Sequence, residues 1–286
     1  MPSLIDIRRR IRSVKSTQQI TRAMKLVSAA KLRRAQDRVI AARPYASMLT
    51  RVLADVSEAA RTNEQLATHP LLARRDERRI QLILITSDRG MAGAFNSNLI
   101  KAAQRFLEEH AGAEVGIETV GRKGRDFFRK RGANLTGEMV GMTDKVGYAD
   151  ASELAKRASA RFIAGEIDSV YLLYNEFKSI LTQRLTVERI LPTSLPEEAH
   201  GIDYIYEQPP EKLLEGLLPR YVEVGIYRAL LESAAAQQAA RMTAMDAATS
   251  NAADMIDRLT LYMNRVRQAS ITKEIIEVVS GAAGVE

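Results

Sequence analysis

The chain has no cysteine in 286 residues, which excludes a disulfide framework, a thiol nucleophile and cysteine-ligated metals. The same absence fits a reducing compartment. Proline is missing from Leu4 until Pro44 and glycine until Gly90. Backwards from Ser280 there is no proline until Pro219, and Gly225 is the only glycine. No segment reaches the 18 or more consecutive apolar residues of a membrane span. Met1 to Asp6 lack a signal-peptide pattern, and the basic stretch behind them has no apolar core, so a soluble, cytoplasmic, untargeted protein is expected. Catalytic motifs are missing as well: there is no HExxH, no GxSxG and no pair of acids at metal-ligand spacing. His69, His110 and His200 share no motif. These absences shift the expectation towards a structural or mechanical role.

What remains is two helical stretches at the ends of the chain. A run of about 60 residues at the helical rise spans roughly 90 Å, several times the width of a small domain. Helices of that length with narrow apolar stripes bury them most easily against each other, which predicts a rod with a globular body inserted in its middle. At the N-terminal end Leu4, Ile7, Ile11 and Val14 repeat at coiled-coil spacing, flanked by Arg8, Arg10 and Lys15. The register is expected to break at the polar Thr17-Gln18-Gln19 and resume at Ile20, Met24 and Val27, giving a shaft with an irregular surface. At the other end the helix is rich in alanine between Ala234 and Ala253. Ala252, Ile256, Leu259, Met263 and Val266 then form a second seam, expected to pack on the first, with a helix stop near Ser280-Gly281.

Acidic residues are scarce in one region. Up to Arg43 twelve basic residues face only Asp6 and Asp37, a local charge of +10 that leaves −3 for the rest of a chain totalling +7. Nucleic acid, anionic lipid and an acidic protein surface are the three candidate counterparts. In a DNA-binding basic helix the basic region precedes the heptads, whereas here the two are interleaved. No aromatic residue precedes Tyr45 to anchor an apolar face in a membrane interface. A protein partner is favoured.

The middle of the chain reads as a small α/β sheet. Arg78 to Ser87 is an apolar, β-branched run of the kind found in buried parallel strands. A helix follows through Leu99, Phe106 and Leu107, then a strand from Glu114 to Val120, a short basic helix from Gly121 to Arg131 and a helix from Ala149 to Ile163. Val170 to Phe177 and Thr182 to Ile190 read as a hairpin, and Pro192, Pro196, Pro209 and Pro210 as an exit linker. Two glycine-bearing segments, Ser87 to Asn96 and Gly121 to Arg125, are the places to look for a phosphate site. Neither completes a P-loop or a dinucleotide fingerprint, and tight-turn packing is the favoured reading of both. Three domains are expected: an N-terminal coiled-coil helix over 1–60, a central α/β, Rossmann-like domain over 75–205, and a C-terminal coiled-coil helix over 210–286.

Three separated motifs, IRRRIRSVKSTQQITRAMKLVSAAKLRRAQ from Ile7 to Gln36, SDRGMAGAFN from Ser87 to Asn96, and RQASITKEIIEVVSGAA from Arg267 to Ala283, closely resemble the γ subunit of the F-type ATP synthase. The resemblance covers essentially the whole chain. It departs at Met91-Ala92-Gly93-Ala94, where the family usually has Leu-Cys-Gly-Gly, at Gln237, where an acid is frequent, and at Met263, where a tyrosine is frequent. No cysteine-bearing regulatory insert of the chloroplast type is present, which points to a bacterial enzyme.

The resemblance implies an α/β body between two long terminal helices that form an antiparallel, asymmetric coiled coil. It also implies a non-catalytic rotor without cofactor, metal or nucleic acid, at the cytoplasmic face of the bacterial inner membrane. Its implied partners are the α and β subunits, in a ring of three each, the ε subunit and the c-ring, with membrane association only through that complex. By the same resemblance Arg8, Arg9, Lys15, Arg33 and Arg34 offer charge to acidic surfaces of the ring, and Met24 lies in the coupling region. Gln268, Thr272 and Glu274 match the C-terminal contact motif with β, and Arg241 braces the same zone.

Overall fold

The computed structural model describes residues 3–59, 69–143, 145–194 and 208–283. The element order is α1 (Leu4–Ala59), a 3-10 turn (Pro70–Leu72), β1 (Arg79–Ile85), α2 (Phe95–Glu109), β2 (Glu114–Val120), α3 (Arg122–Arg129), β3 (Leu135–Met139), α4 (Tyr148–Ile163), β4 (Ser169–Phe177), β5 (Gln183–Leu191) and α5 (Pro210–Ala283). The fold class read from the sequence is the observed one. The five strands form one mixed sheet in the order β3-β2-β1-β4-β5. The pairs β3-β2, β2-β1 and β1-β4 are parallel, and the β4-β5 hairpin is antiparallel.

The chain divides into two compact units. One comprises residues 29–241; the other combines the residues up to 28 with those from 242 onward. In the larger unit the core sits on both sides of β1, whose residues from Ile80 to Ile85 are all buried. Leu84 faces α3, where its Cδ2 would stand 3.2 Å from a Cβ placed at Gly124. Gln81, of opposite parity, accepts a hydrogen bond from Arg161 of α4 at 2.9 Å. Side chains alternate across a strand, so α3 and α4 cover opposite faces of the sheet. Burying a leucine of this strand contributes about 1.5–3 kcal/mol. The α4 face also buries a carboxylate: Glu118, on β2, accepts from both Gln81 and Arg157. That pairing is what makes its burial tolerable, because an unpartnered charge there would cost several kcal/mol.

In the smaller unit α1 and α5 run antiparallel. Thr249 donates to Thr21 at 2.8 Å and Lys25 to Asp246 at 2.5 Å, so the position on one helix rises as that on the other falls. Here the structure corrects the expected register. The seam does not shift after Val14; it continues through Gln18, Thr21, Lys25 and Ser28 at the same three-four spacing, with Thr21 and Ser28 buried. Ile20 and Val27, read as seam residues, are each 57% exposed, while Met24 stays half-buried beside the seam. Geometry, not polarity, decides which residues face the partner helix, so polar side chains fill positions that the spacing assigns. The opposite seam behaves as read: Ala252 is buried, and Ile256, Leu259, Met263 and Val266 are half-buried.

Three further differences are local. The strand β3, LTGEM, is absent from the sequence reading; it is a short edge strand interrupted by Gly137, with a pattern too weak to stand out. Pro209 lies just outside α5, but Pro210 does not belong to the linker. Pro210 is the first residue of α5, a position where the missing N–H costs nothing. Pro196 lies outside the described residues, as does His200. Finally, α5 runs past Ser280-Gly281 to Ala283, since a glycine lowers helix propensity by about 1 kcal/mol without requiring a stop.

Candidate functional site

The two glycine-bearing segments meet at the carboxyl ends of β1 and β2, the place in an open α/β sheet where a ligand is ordinarily sought. Gly121 precedes α3 with φ of +98°, and a Cβ there would stand 2.3 Å from the Thr86 carbonyl oxygen. The N–H groups that would cradle a phosphate at this helix start already have partners. Gly121 donates to the Met139 carbonyl at 2.7 Å and Lys123 to the Ser87 carbonyl at 3.0 Å. Arg122 donates to Asp88 Oδ1 at 3.1 Å, and Gly124 to Thr86 Oγ1 at 2.9 Å.

Asp88 stands where the anion would be. It also accepts from the Gly141 N–H at 2.9 Å and from the Thr143 hydroxyl at 2.7 Å. Burial pushes the Asp88 carboxyl up, but the hydrogen bonds from Gly141, Thr143 and Arg122 outweigh it and hold the group below its ordinary value. In the first segment, the Ser87 N–H and hydroxyl both reach Asn96 Oδ1 at 3.0 Å. The arrangement is a self-contained turn lock, in agreement with the packing reading.

The residues singled out on the helices are distributed as follows. Arg8, Arg9 and Lys15 are exposed on α1, off the seam, and form no ion pair among the described residues. Their stretch of α1, up to Ser28, carries seven basic residues against Asp6, whereas the α5 strip from Met242 to Ala283 nearly balances, with four bases against five acids. Gln268, Thr272 and Glu274 are exposed on α5; the Thr272 hydroxyl donates to the Gln268 carbonyl at 2.9 Å, and Glu274 accepts from Ser270 at 3.3 Å. The first three and these three, with Met24, belong to the smaller unit. Arg33 and Arg34, both exposed, belong to the larger one, as does Arg241.

Arg241 is 6% exposed and turned inward, donating to Gln238 Oε1 and to the Arg89 carbonyl, each at 3.5 Å. It braces the Ser87–Asn96 segment from the α5 side. Sequence reasoning missed Thr21 and Lys25, which the unbroken three-four count from Leu4 would have found, and Thr249, which the same count carried back from Ala252 would have found; Asp246, the exposed partner of Lys25, falls on neither count. It also missed Asp88, whose signal is an acid directly after a buried strand.

The profile of the ATP synthase family matches residues 3–285. The chain is 66% identical over 286 residues to the ATP synthase gamma chain of Solibacter usitatus, with 100% of both chains covered. The chain belongs to the ATP synthase gamma-chain family. It is 52% identical to the gamma chain of Pelotomaculum thermopropionicum over 289 residues, again with 100% of each covered.

Among solved structures, a chain of the Euglena gracilis mitochondrial ATP synthase superposes with a TM-score of 0.68 at 19% identity, covering 99% of this chain and 94% of that one. A chain from the central stalk and c-ring of the Tetrahymena thermophila enzyme gives 0.63 at 24% identity, covering 80% and 99%. At these identities the superpositions speak for the fold. Among the described residues, no helix is long and apolar enough to cross a membrane.

Proposed function

We propose that this chain is the central rotor shaft of a bacterial F-type ATP synthase, coupling proton flow through the c-ring to ATP synthesis and hydrolysis in the ring of α and β subunits. The observation that carries the reading is full-length identity of 66% to an ATP synthase gamma chain, over a fold whose helix pair leaves its outer surface basic and apolar. The shaft comprises the helices over 1–60 and 210–286, and the domain over 75–205 forms the body that meets the ε subunit and the c-ring. The chain itself catalyses nothing; the saturated turn at Asp88 supports that, since its N–H groups already have acceptors. The complex holds it at the cytoplasmic face of the inner membrane, with no nucleic-acid partner.

Mechanical coupling works thermodynamically as differential contact. A rotor biases the populations of conformations that it touches unequally, and a single asymmetric chain presents a different face to each of three identical neighbours. Ile20, Leu26 and Val27, exposed on α1, supply apolar contact on such a face. Arg8, Arg9, Lys15, Arg33 and Arg34 supply charge for acidic surfaces of the ring, and Gln268, Thr272 and Glu274 supply polar contacts to β. Met24 belongs to the coupling zone, and Arg241 acts from within by fixing the Ser87–Asn96 segment.

Co-expression with the cognate α and β subunits, followed by native mass spectrometry and an ATPase assay on the same sample, tests the assignment. One copy per six large subunits, with ATPase activity that depends on it, is the expected result; a chain that stays alone overturns it. In the assembled enzyme, Met24→Lys is expected to keep ATPase activity and lose ATP-driven proton pumping. Unchanged pumping removes Met24 from the coupling zone.

A further inference from the structure

The larger unit holds a groove of about 1430 Å³, walled by residues 38–50 of α1 and residues 220–232 of α5. Nothing in the rotor reading uses it. Its α1 wall is locally soft. Pro44 lies inside the helix and has no N–H to give to the Ile40 carbonyl. Directly after it, the Ser47 hydroxyl donates to the Pro44 carbonyl at 3.0 Å and the Thr50 hydroxyl to the Ala46 carbonyl at 2.9 Å. A helical proline and hydroxyls bonded back onto the preceding turn are identified causes of helix bending, and here all three fall within seven residues on one wall of the groove.

The opposite wall carries a carboxylate without its natural complement. Glu232 is 7% exposed, and its Oε2 has no hydrogen-bond partner among the described residues. A buried carboxylate in that state is costly. The charged groups around it come from every neighbouring element. Arg228, one turn earlier on α5, is held by both oxygens of Glu188 at 2.9 Å. Glu176 of β4 is paired with Lys178 at 2.6 Å and with Arg184 at 3.0 Å. Arg43 of α1 is the exception: it is exposed and forms no hydrogen bond or ion pair among the described residues. Burial pushes the Glu232 carboxyl up and Glu176 adds to this, while Arg228, Arg43 and Lys178 pull it down, so the Arg43 charge already acts on Glu232 without touching it.

We propose that the groove is the open state of a latch, closed when α1 bends at Pro44 and brings the Arg43 guanidinium onto the Glu232 carboxylate. Closure gives the buried carboxylate a forked, charge-assisted partner and gives the free arginine an acceptor. It requires desolvation of Arg43 and loss of the solvent that fills the groove. Closure is favoured by the new ion pair and opposed by the desolvation of Arg43, the opposition of terms on which a two-state element depends. The latch sits wholly within the larger unit and provides local give between its two long helices.

The absence of native cysteine makes a direct distance measurement possible. Spin labels on Asp37→Cys, which lies on the Arg43 side of the bend, and on Glu215→Cys, both exposed and outside the groove lining, report on α1 and α5 in the full-length chain by double electron–electron resonance. Two distance populations are expected, with the shorter one lost in Arg43→Gln and in Glu232→Gln and recovered in the reciprocal pair Arg43→Glu with Glu232→Arg. Arg43→Gln alters an exposed position, so its result does not depend on any folding cost at Glu232. A single population in the native background, or two populations indifferent to Arg43→Gln, overturns the latch.

Discussion

The same helix, α5, is buried in one unit and bare in the other. From Ala229 to Arg241 every residue but Ala234 is buried, and the small side chains of the alanine-rich stretch let neighbouring backbone come close on several sides. From Ile271 to Ser280 every residue is exposed. The first stretch is made of strong helix formers and the second is rich in β-branched residues, yet both are helical, and what separates their exposure is packing. In the larger unit α5 is one layer of a core that also contains a sheet. In the smaller unit it has one partner helix and offers it a stripe two residues wide per heptad. The first arrangement gives stability; the second leaves most of the surface for something outside the chain.

The contrast can be attacked at several points, with effects that fall in order. The largest loss is expected from Gly121→Val, because its φ of +98° and the 2.3 Å approach to the Thr86 carbonyl leave no place for a side chain. A cost of more than about 3 kcal/mol, and little soluble full-length chain, are expected. A melting temperature within a few degrees of the native one would show the turn to be dispensable. Next, Leu82→Ala in the sheet is expected to cost about 2–5 kcal/mol, whereas Ile256→Ala on the half-buried seam costs about 1 kcal/mol. Urea denaturation with segment-resolved hydrogen exchange distinguishes them; equal costs would abolish the difference drawn between the units.

Asp88→Asn follows, at about 1–2 kcal/mol near neutral pH, from weakened bonds to Arg122, Gly141 and Thr143. Because the folded-state pKa of Asp88 is depressed, its contribution is complete above the unfolded value and is lost as pH falls through the folded one. The stability curves of the native chain and of the Asp88→Asn variant should therefore converge on acidification, and curves that stay parallel would remove the carboxylate from the account. Smallest is Lys25→Ala, which deletes the exposed pair with Asp246 at an expected cost below about 1 kcal/mol, further reduced in high salt.

Much of this was legible in the chain because the signals were strong where burial is two-sided. The run RIQLILI is hydrophobic without alternation, and only a strand covered on both faces needs that. The β4-β5 hairpin and the helices α2 to α4 follow from ordinary periodicity. β3 was hidden because an edge strand with half-exposed residues needs few apolar positions. The seam between Gln18 and Ser28 was misread because polarity was allowed to override spacing, and in a two-helix stripe spacing wins. At the candidate site, the basic excess of α1 and the packing role of the glycine turns could be read directly. The role of Asp88 could not, since Gly141 and Thr143 lie more than fifty residues away in sequence. Arg241 shows the same limit: its run identified it, but only the fold turns it inward to Arg89.

A purely apolar seam with a seven-residue repeat has a degeneracy: one helix can slide along the other by two turns and meet an equivalent set of partners. The Thr21–Thr249 bond, with the Lys25–Asp246 pair beside it, lifts that degeneracy, because a slide of two turns leaves both hydroxyls and both charges facing the wrong neighbours. Polar residues in the stripe thus act as an index mark. They fix the axial phase of one helix against the other, so that a load applied at one end arrives at the other as an angle and is not dissipated as slip.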